Sequence, residues 1–525
     1  MNRLLTISDA LARHARLSPD KLGARDSQRS LSFAQWQARS LALAGSLQGL
    51  GLQHGDRVAV LAYNRLEWME IYTALSASGL VAVPINFRLL TPEIEYILGH
   101  CEAKALIVED SLLDRVQGLL AHPDLSLEHL IVMGQAQSHP GHDYEALMAQ
   151  GAGAFEAVQV RPTDLCAILY TSGTTGRPKG VMRSHEGSSL IALATALEMR
   201  FGPQDVGLMV MPLCHANSMY FSQTFLHLGA TCVIDDSTSF DAQRMLAKLA
   251  SERISFTSLV PTHYIMMLAL PEHIRALYDV SAVDKLMISS APARKDTKLA
   301  ILECFPNARL HELYGSTEAG WVTLLRPDEQ LDHLGTVGRE WAGSGPIRLL
   351  DDNGQEVPDG EVGELFSWTP YAFDGYWKNP EKTAEAFRGN WCSVGDMARR
   401  DEQGFIQLVD RKSNMIISGG ENIYPSEVEG VIGACPAVKD VAVVGVPHDK
   451  WGEAVHAVVV LHDGAKLQEA ELMDWCRTRM AGFKRPQSVS FIPDAQMPRN
   501  ATGKILHRVL RDQCLQSRQG TVATA

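Results

Sequence analysis

Continuous apolar runs of strand length alternate with helix-patterned stretches through much of this chain, and that alternation narrows the folds open to it. RVAVLAY at 57–63 is followed by the helical LEWMEIYTALSASG, VAVPIN at 81–86 by PEIEYILGHC, and then comes KALIVED at 104–110. Further on, GLMVMP, the helical FSQTFLHLG, TCVIDD, the helical DAQRMLAKLASER and SFTSLVP repeat the pattern. Strand–helix–strand alternation predicts parallel α/β layers. Strands that are apolar at every position fit a sheet covered on both faces. The pattern changes after about residue 335, where GPIRLLDDNGQEVPDGEVGELFSW sets DNG and PDG turn signals between short strands, as in an antiparallel β piece. Beyond 410–414, VKDVAVVGVPH, AVHAVVVLH and SVSFIPD read as strands and ELMDWCRTRM as an amphipathic helix. The predicted architecture is α/β. A large N-terminal domain of layered α/β subdomains plus a β-rich subdomain covers 1–410, a hinge 411–414, a small mobile α+β C-terminal domain 415–514, and a flexible polar tail 515–525.

A chain of 525 residues buries large cores without difficulty, and 46% hydrophobic with 21% charged residues is an ordinary globular composition. Asp and Glu number 61 against 48 Lys and Arg, a net charge of −13, which argues against a nucleic-acid partner but not against small anions in a local basic pocket. No run approaches the ~18 apolar residues of a spanning helix. The N-terminal MNRLLTISDALARHARLSP lacks the apolar centre of a secretory signal. The nine cysteines are scattered, with no CxxC pair and no zinc-ligand spacing, and are expected to be free thiols of a reducing, cytoplasmic compartment.

The densest chemistry lies in YTSGTTGRPKGV at 170–181, directly after the strand-like LCAILY. Thr171, Ser172, Gly173, Thr174, Thr175 and Lys179 gather hydroxyl donors, approachable backbone N–H groups and one ammonium in a single loop. Glycines let backbone donors converge on an anion without Cβ interference, so the loop is built for phosphate. It is not a Walker A loop, because no GK[ST] follows the required glycine.

This loop resembles the signature loop of the adenylate-forming superfamily, which holds acyl-CoA synthetases, luciferase-like enzymes and peptide-synthetase adenylation domains. YGSTEAG at 314–320, WCSVGDMA at 391–398, LVDRKSNMIISGGENIYPSEVE at 408–429 and PRNATGKI at 498–505 resemble its other motifs, in the family's order and at family-like spacing. The C-terminal stretch is similar to that of aryl-CoA ligases. The resemblance implies an ATP-dependent carboxylate–CoA ligase that forms an acyl-adenylate with release of pyrophosphate, then passes the acyl group to the CoA thiol with release of AMP. Its reactants would be a small carboxylic acid, ATP with Mg²⁺, and coenzyme A. A homodimer is compatible with it.

Residue by residue, the resemblance implies that Tyr314, with Gly315, stacks on adenine, that Thr317 binds the α-phosphate and that Glu318 ligates Mg²⁺. It gives Asp396 to the ribose hydroxyls and Arg411 to the nucleotide, a domain-boundary ion pair being the other reading of Arg411. Lys504 would neutralise charge on the transferring phosphoryl group. Gly419 and Gly420 would line the path of the pantetheine arm, and Lys484 in FKRP would meet CoA phosphates; an ordinary turn and a plain surface are the alternatives. The acyl pocket would be lined near residues 215–218, 260–264, Ser290 with Ala291, and 315–321. His215 either gates that pocket or is a core histidine. Asn217, Ser218, His263 and Trp321 lend the pocket mixed polarity, which favours an aromatic or short-to-medium-chain acid over a long apolar tail. A long-chain fatty acid remains an alternative substrate. A carrier-loading amino-acid enzyme is another, although MPLCHANSM at 211–219 lacks the acid that would hold a substrate amine. A luciferase-like oxidation and an inactive binding protein complete the readings. One position departs from the family: its hinge residue, usually Asp or Lys, falls on Ser413.

Overall fold

The computed structural model describes residues 5–134, 139–171, 178–289, 293–412, 414–418, 421–448, 450–499, 503 and 505–522, with backbone alone at 422 and 517–522. The chain divides into two compact units, Met1–Pro346 with Ser367–Cys392, and Ile347–Phe366 with Ser393–Ala525.

The first unit is built on two large sheets. One runs in the order Arg339–Glu340, Gly320–Leu325, Arg309–Ser316, Lys285–Ile288, Phe256–Leu259, Val206–Met209, Thr231–Ile234, Leu22–Arg25, Ser30–Ser32, nine strands among the described residues. Its six middle strands, from Arg309–Ser316 to Leu22–Arg25, are parallel. The other has eight strands, Gly375–Tyr376, Lys179–Ser184, Leu165–Thr171, Val81–Ile85, Arg57–Leu61, Ala103–Glu109, His129–Met133 and His142–Asp143. It is parallel from Leu165–Thr171 onward, with the first two strands antiparallel.

The two-residue period of a strand explains why these apolar runs have no polar face. Val58 and Val60 point into a core shared by both sheets, whereas Ala59 and Leu61 point into an outer core with Ile94, Ile97 and Leu98 of the helix Thr91–Cys101. In the nine-stranded sheet Met209, Phe256 and Met287 face the shared core. Leu208, Leu286 and Ile288 face the helices Ala242–Ser251 and Pro261–Leu268 on the outside. Helices Glu67–Ser78 and Ala216–Leu228 lie in the shared layer and are buried almost all round. The sequence places the second of these helices from Phe221. It begins earlier, at Ala216, so the polar Asn217 and Ser218 belong to the helix's first turn.

The second unit holds the antiparallel sheet Arg348–Leu350, Gly363–Phe366, Asp396–Arg400, Ile406–Arg411, which matches the DNG/PDG segment. The expected β-rich piece is therefore present, and its strands fall in the same compact unit as the C-terminal residues. That unit also contains a sheet of Glu421–Ile423, Ile416–Ser418, Gly452–Leu461, Val438–His448 and Ser488–Phe491, covered by the helices Pro425–Gly433 and Glu469–Arg477. The backbone stays helical over His507–Val522, past the point where the sequence expects the tail to begin; Leu510 anchors that helix in a small core with Val444 and Val446. All nine cysteines are free, and burial pushes the thiols of Cys101, Cys214 and Cys232 up to about 12, so they stay protonated. Among the described residues no helix is long and apolar enough to cross a membrane.

Candidate active site

The strand Leu165–Thr171 turns back as Lys179–Ser184, with Thr171 opposite Lys179 and Tyr170 opposite Gly180. Ser172, Gly173, Thr174 and Thr175, the donors expected to hold phosphate, lie between them and outside the described residues. What the hairpin does show is where its ends lead. Lys179 Nζ sits 4.1 Å from the ring centroid of Tyr376, a cation–π distance. The Tyr376 hydroxyl donates to Glu318 Oε1 at 2.8 Å. Lys179 and Glu318, read from separate motifs, thus share one aromatic residue.

Arg183, four residues on, fixes the other motif's backbone. It is 1% exposed, and its guanidinium donates to the carbonyls of Glu318 at 3.2 Å and Tyr371 at 2.8 Å, with the Thr317 carbonyl at 3.5 Å. The Phe373 N–H donates to the same Glu318 carbonyl at 2.7 Å. Tyr314 and Gly315 end the strand Arg309–Ser316, which bulges between them before the chain reverses at Gly320. A Cβ on Gly315 would lie 2.3 Å from the Gly320 carbonyl oxygen, so only glycine fits there. Tyr314 and Thr317 keep part of their surface open while Glu318 is buried. Among the described residues, Tyr376 is the one side chain that hydrogen-bonds the Glu318 carboxylate, at Oε1. A buried carboxylate with one oxygen pinned and one open suits a divalent ion that takes its remaining ligands from phosphate and water. That mode fits the finding that no described group of three His, Cys, Asp or Glu residues is arranged to hold a metal by itself.

Around the first turn of Ala216–Leu228 the side chains are polar but shielded. Asn217 donates from its amide nitrogen to Ser258 Oγ at 3.1 Å and Ser289 Oγ at 3.0 Å. His215, at the N-cap, makes no capping bond, and its Nε2 is shielded from solvent with no hydrogen-bond partner among the described residues. His263 stacks on Phe240 with centroids 4.1 Å apart. Burial lowers the pKa of both histidines to about 4, so both are neutral at pH 7. Trp321 differs from expectation: its indole N–H donates to Thr195 Oγ1 at 2.8 Å, and its rings stack on Phe221, so it is core rather than a polar group of the pocket. Ser290 and Ala291 lie outside the described residues, and Ser218 is buried.

In the second unit Asp396 and Arg411 face each other across paired strands, with Arg411 Nε donating to Asp396 Oδ1 at 3.0 Å. The neighbouring Asp410 accepts from the Ser426 N–H at 2.9 Å and from Asn414 Nδ2 at 3.1 Å, tying the start of the helix Pro425–Gly433 to the end of Ile406–Arg411. Lys484 is ion-paired with Glu427, which Arg399 also approaches at 3.4 Å. Arg485 donates to the Arg477 carbonyl at 2.9 Å and so serves the end of the helix Glu469–Arg477. Ser413, Gly419, Gly420 and Lys504 lie outside the described residues.

The family model of AMP-binding enzymes matches residues 11–377, and that of the AMP-binding enzyme C-terminal domain matches 427–504. The chain belongs to the AMP-binding enzymes. A feruloyl-CoA synthase of Amycolatopsis is 34% identical, covering 95% of this chain and 97% of its own. A long-chain-fatty-acid–CoA ligase of Mycobacterium tuberculosis is 33% identical, covering 92% of this chain and 93% of its own. Among solved structures, an anthranilate–CoA ligase in complex with anthranoyl-AMP superposes with a TM-score of 0.88 at 27% identity, covering 99% of each chain. This AMP-binding enzyme is an AMP-forming acid–thiol ligase that draws on ATP, Mg²⁺ and CoA.

Two residues of this AMP-binding enzyme's site escape sequence reasoning. Tyr376 and Arg183 carry no phosphate-binding pattern of their own. Tyr376 sits in GYW on the strand Gly375–Tyr376, which pairs onto Lys179–Ser184, and only that long-range pairing brings it to the hairpin.

Proposed function

We propose that this enzyme activates an aromatic or short-to-medium-chain carboxylic acid and loads it onto CoA. The observation that carries the site assignment is the Lys179–Tyr376–Glu318 contact at the base of the phosphate hairpin. A carboxylate is a poor electrophile at neutral pH. Its attack on the ATP α-phosphorus displaces pyrophosphate and makes the carbonyl reactive toward a thiol. Lys179 and the hairpin hydroxyls bind the phosphates, Thr317 orients the α-phosphate, and Tyr314 with Gly315 holds adenine. Asp396 and Arg411 hold the ribose. Glu318 would hold Mg²⁺, which supplies neutralising charge between phosphate oxygens when bound. Lys504 stabilises the transferring phosphoryl group during this half-reaction. The segment after residues 411–414 then turns, withdrawing Lys504 and bringing Gly419 and Gly420 to the pantetheine arm, with Lys484 near the CoA phosphates.

Support for the acyl class comes from the first turn of Ala216–Leu228. His215 and His263 are neutral, largely buried groups beside that turn. Behind Asn217, Tyr220 and Phe221 pack on Trp321, with Trp341 beyond, so the helix is backed by rings. The names of the feruloyl and anthranilate relatives agree with an aromatic acid. The mycobacterial relative supports a long-chain fatty acid as the second reading.

Pyrophosphate release and CoA-thioester formation across benzoates, phenylpropenoates, dicarboxylates and fatty acids of graded length test the proposal. A marked preference for aromatic or shorter acids, dependent on CoA, is expected. A maximum at long fatty acids moves the assignment to the second reading.

A further inference from the structure

The strands Leu165–Thr171 and Lys179–Ser184 are the two legs of the phosphate hairpin, and both are fastened to one helix, Thr91–Cys101. Tyr96 and His100 lie four residues apart on it, one turn along the same face. His100 Nδ1 lies 2.7 Å from the hydroxyl of Tyr170, near the end of the first leg. The Tyr96 hydroxyl donates to the carbonyl of Pro178 at 3.2 Å, just before the second. Trp377 closes the arrangement. Its indole N–H donates to the His100 carbonyl at 3.1 Å, and its backbone N–H donates to the Gly180 carbonyl at 2.7 Å. The carbonyls on either side of Lys179 are therefore both held, one by the helix and one by Trp377.

The rings of Tyr96 and His100 stack with centroids 5.4 Å apart, and Tyr170 meets His100 edge-on at 5.7 Å. Burial holds His100 below its ordinary pKa, with Lys378 adding to the shift, and holds Tyr170 above its own. The 2.7 Å bond therefore joins two neutral groups at pH 7. A Cβ on Gly180 would come within 2.8 Å of Ile168 and 3.2 Å of the Tyr170 ring, so the second leg runs against the first with no room for a side chain. Strand pairing by itself already joins Tyr170 to Gly180 and Thr171 to Lys179. The added ties sit where the chain leaves for residues 172–177 and returns from them. What they fix is the separation and direction of those two ends.

We propose that Tyr96 and His100 are positioning residues for the triphosphate: they clamp the mouth of the hairpin from one helix and set Lys179 before ATP arrives. The inference rests on the ligase reading above, in which the hairpin serves the phosphates. Both side chains act through others, His100 through Tyr170 and Tyr96 through the Pro178 carbonyl. Donors held in place beforehand lower the ordering cost of binding. The benefit depends on which phosphates a ligand carries. MgATP and pyrophosphate carry those given to the hairpin, whereas AMP keeps only the α-phosphate, which is given to Thr317.

The test uses the full-length enzyme with Tyr96→Phe, Tyr170→Phe, His100→Leu and His100→Asn; the tyrosine changes keep the ring packing. Dissociation constants for MgATP, magnesium pyrophosphate and AMP are measured by calorimetry without acid, so that no turnover intrudes. Each of the first three variants is expected to weaken MgATP and pyrophosphate about three- to tenfold, the range of one net hydrogen bond, and to leave AMP unchanged. In the full reaction KM for MgATP should rise with kcat little changed, the mark of lost binding shared by ground and transition states. Tyr170→Phe combined with His100→Leu should be no worse than the worse single variant, because both remove one bond. His100→Asn, whose amide can stand where Nδ1 stands, should restore most of the affinity. Equal weakening of AMP and MgATP, or unchanged MgATP affinity throughout, overturns the positioning inference and leaves the ligase intact. Absence of pyrophosphate release and CoA thioester from every acid with the unaltered enzyme overturns the ligase reading, and the inference with it.

Discussion

The hydroxyl of Tyr376 donates to Glu318 Oε1 at 2.8 Å while its ring lies 4.1 Å from the ammonium of Lys179. One aromatic side chain therefore touches both the carboxylate and the cation to which the proposed mechanism gives opposite tasks toward the triphosphate. Tyr376→Phe removes the hydroxyl and keeps the ring. Adenylation should fall about ten- to hundredfold with a raised Mg²⁺ requirement, in line with the ~1.5–3 kcal/mol of a hydrogen bond to a charged group. Thioester formation from preformed acyl-adenylate should be unchanged. Equal loss in both half-reactions would point to general damage instead.

Arg183 bridges the phosphate hairpin to the carbonyls of Glu318 and Tyr371 from a fully buried position. Arg183→Met keeps much of the volume and strands those acceptors. A loss of about 2–4 kcal/mol in unfolding free energy is expected, measured by urea denaturation. An unchanged midpoint would mean that the Phe373 N–H, which shares the Glu318 carbonyl, suffices alone.

The roles given to Lys504 and Ser413 separate by half-reaction. Lys504→Ala should suppress ATP–pyrophosphate exchange by two orders of magnitude or more, the range seen when one preorganised transition-state donor is removed. It should spare transfer from synthetic acyl-adenylate to CoA. Ser413→Pro should do the reverse, because a locked φ hinders rotation of the backbone without touching the nucleotide. If both variants lose both steps equally, the two-position cycle is wrong.

Burial holds His185, His215, His227, His263 and His311 near a pKa of about 4 in the folded chain. Unfolded, each would titrate near 6.5. Between those values the unfolded state binds more protons, so stability must fall as pH drops from about 6.5 toward 4 and must not change from this cause above pH 7. His227→Gln, remote from the proposed chemistry, should flatten that slope by up to ~1.4 kcal/mol per pH unit. Denaturant midpoints at stepwise pH measure it, and an identical slope in the variant would mean that His227 protonates while folded.

The layered sheets were legible because a strand apolar on both faces has few other destinations, as Val58 to Leu61 show by feeding two cores alternately. Thr317 and Glu318 were named as candidates only through the resemblance that the short motif YGSTEAG carries. Tyr376 was not, because 58 positions separate it from Glu318 and only strand pairing joins them. Trp321 misled in the other direction. Composition marks an indole as amphipathic, but its N–H is spent on Thr195 inside the core. The early start of Ala216–Leu228 was hidden by Asn217 and Ser218, residue types whose side chains compete with helix backbone. Asp410, which ties Ser426 to the preceding sheet, sits beside a recognisable motif, yet its partner across the turn is invisible without the fold.

From Met219 onward the helix Ala216–Leu228 is wedged between two sheets, with Met219, Tyr220, Phe221, Phe225 and Leu226 all 2% exposed or less. Only Ala216, Asn217 and Ser218 precede that packed length. A change at Asn217 has to be matched only at Ser258 and Ser289, whereas any deeper change has to be matched at once by residues of the shared core. Diversification of the ligand is thereby confined to a band of chain one turn long, and the rest of the helix is inherited as a block.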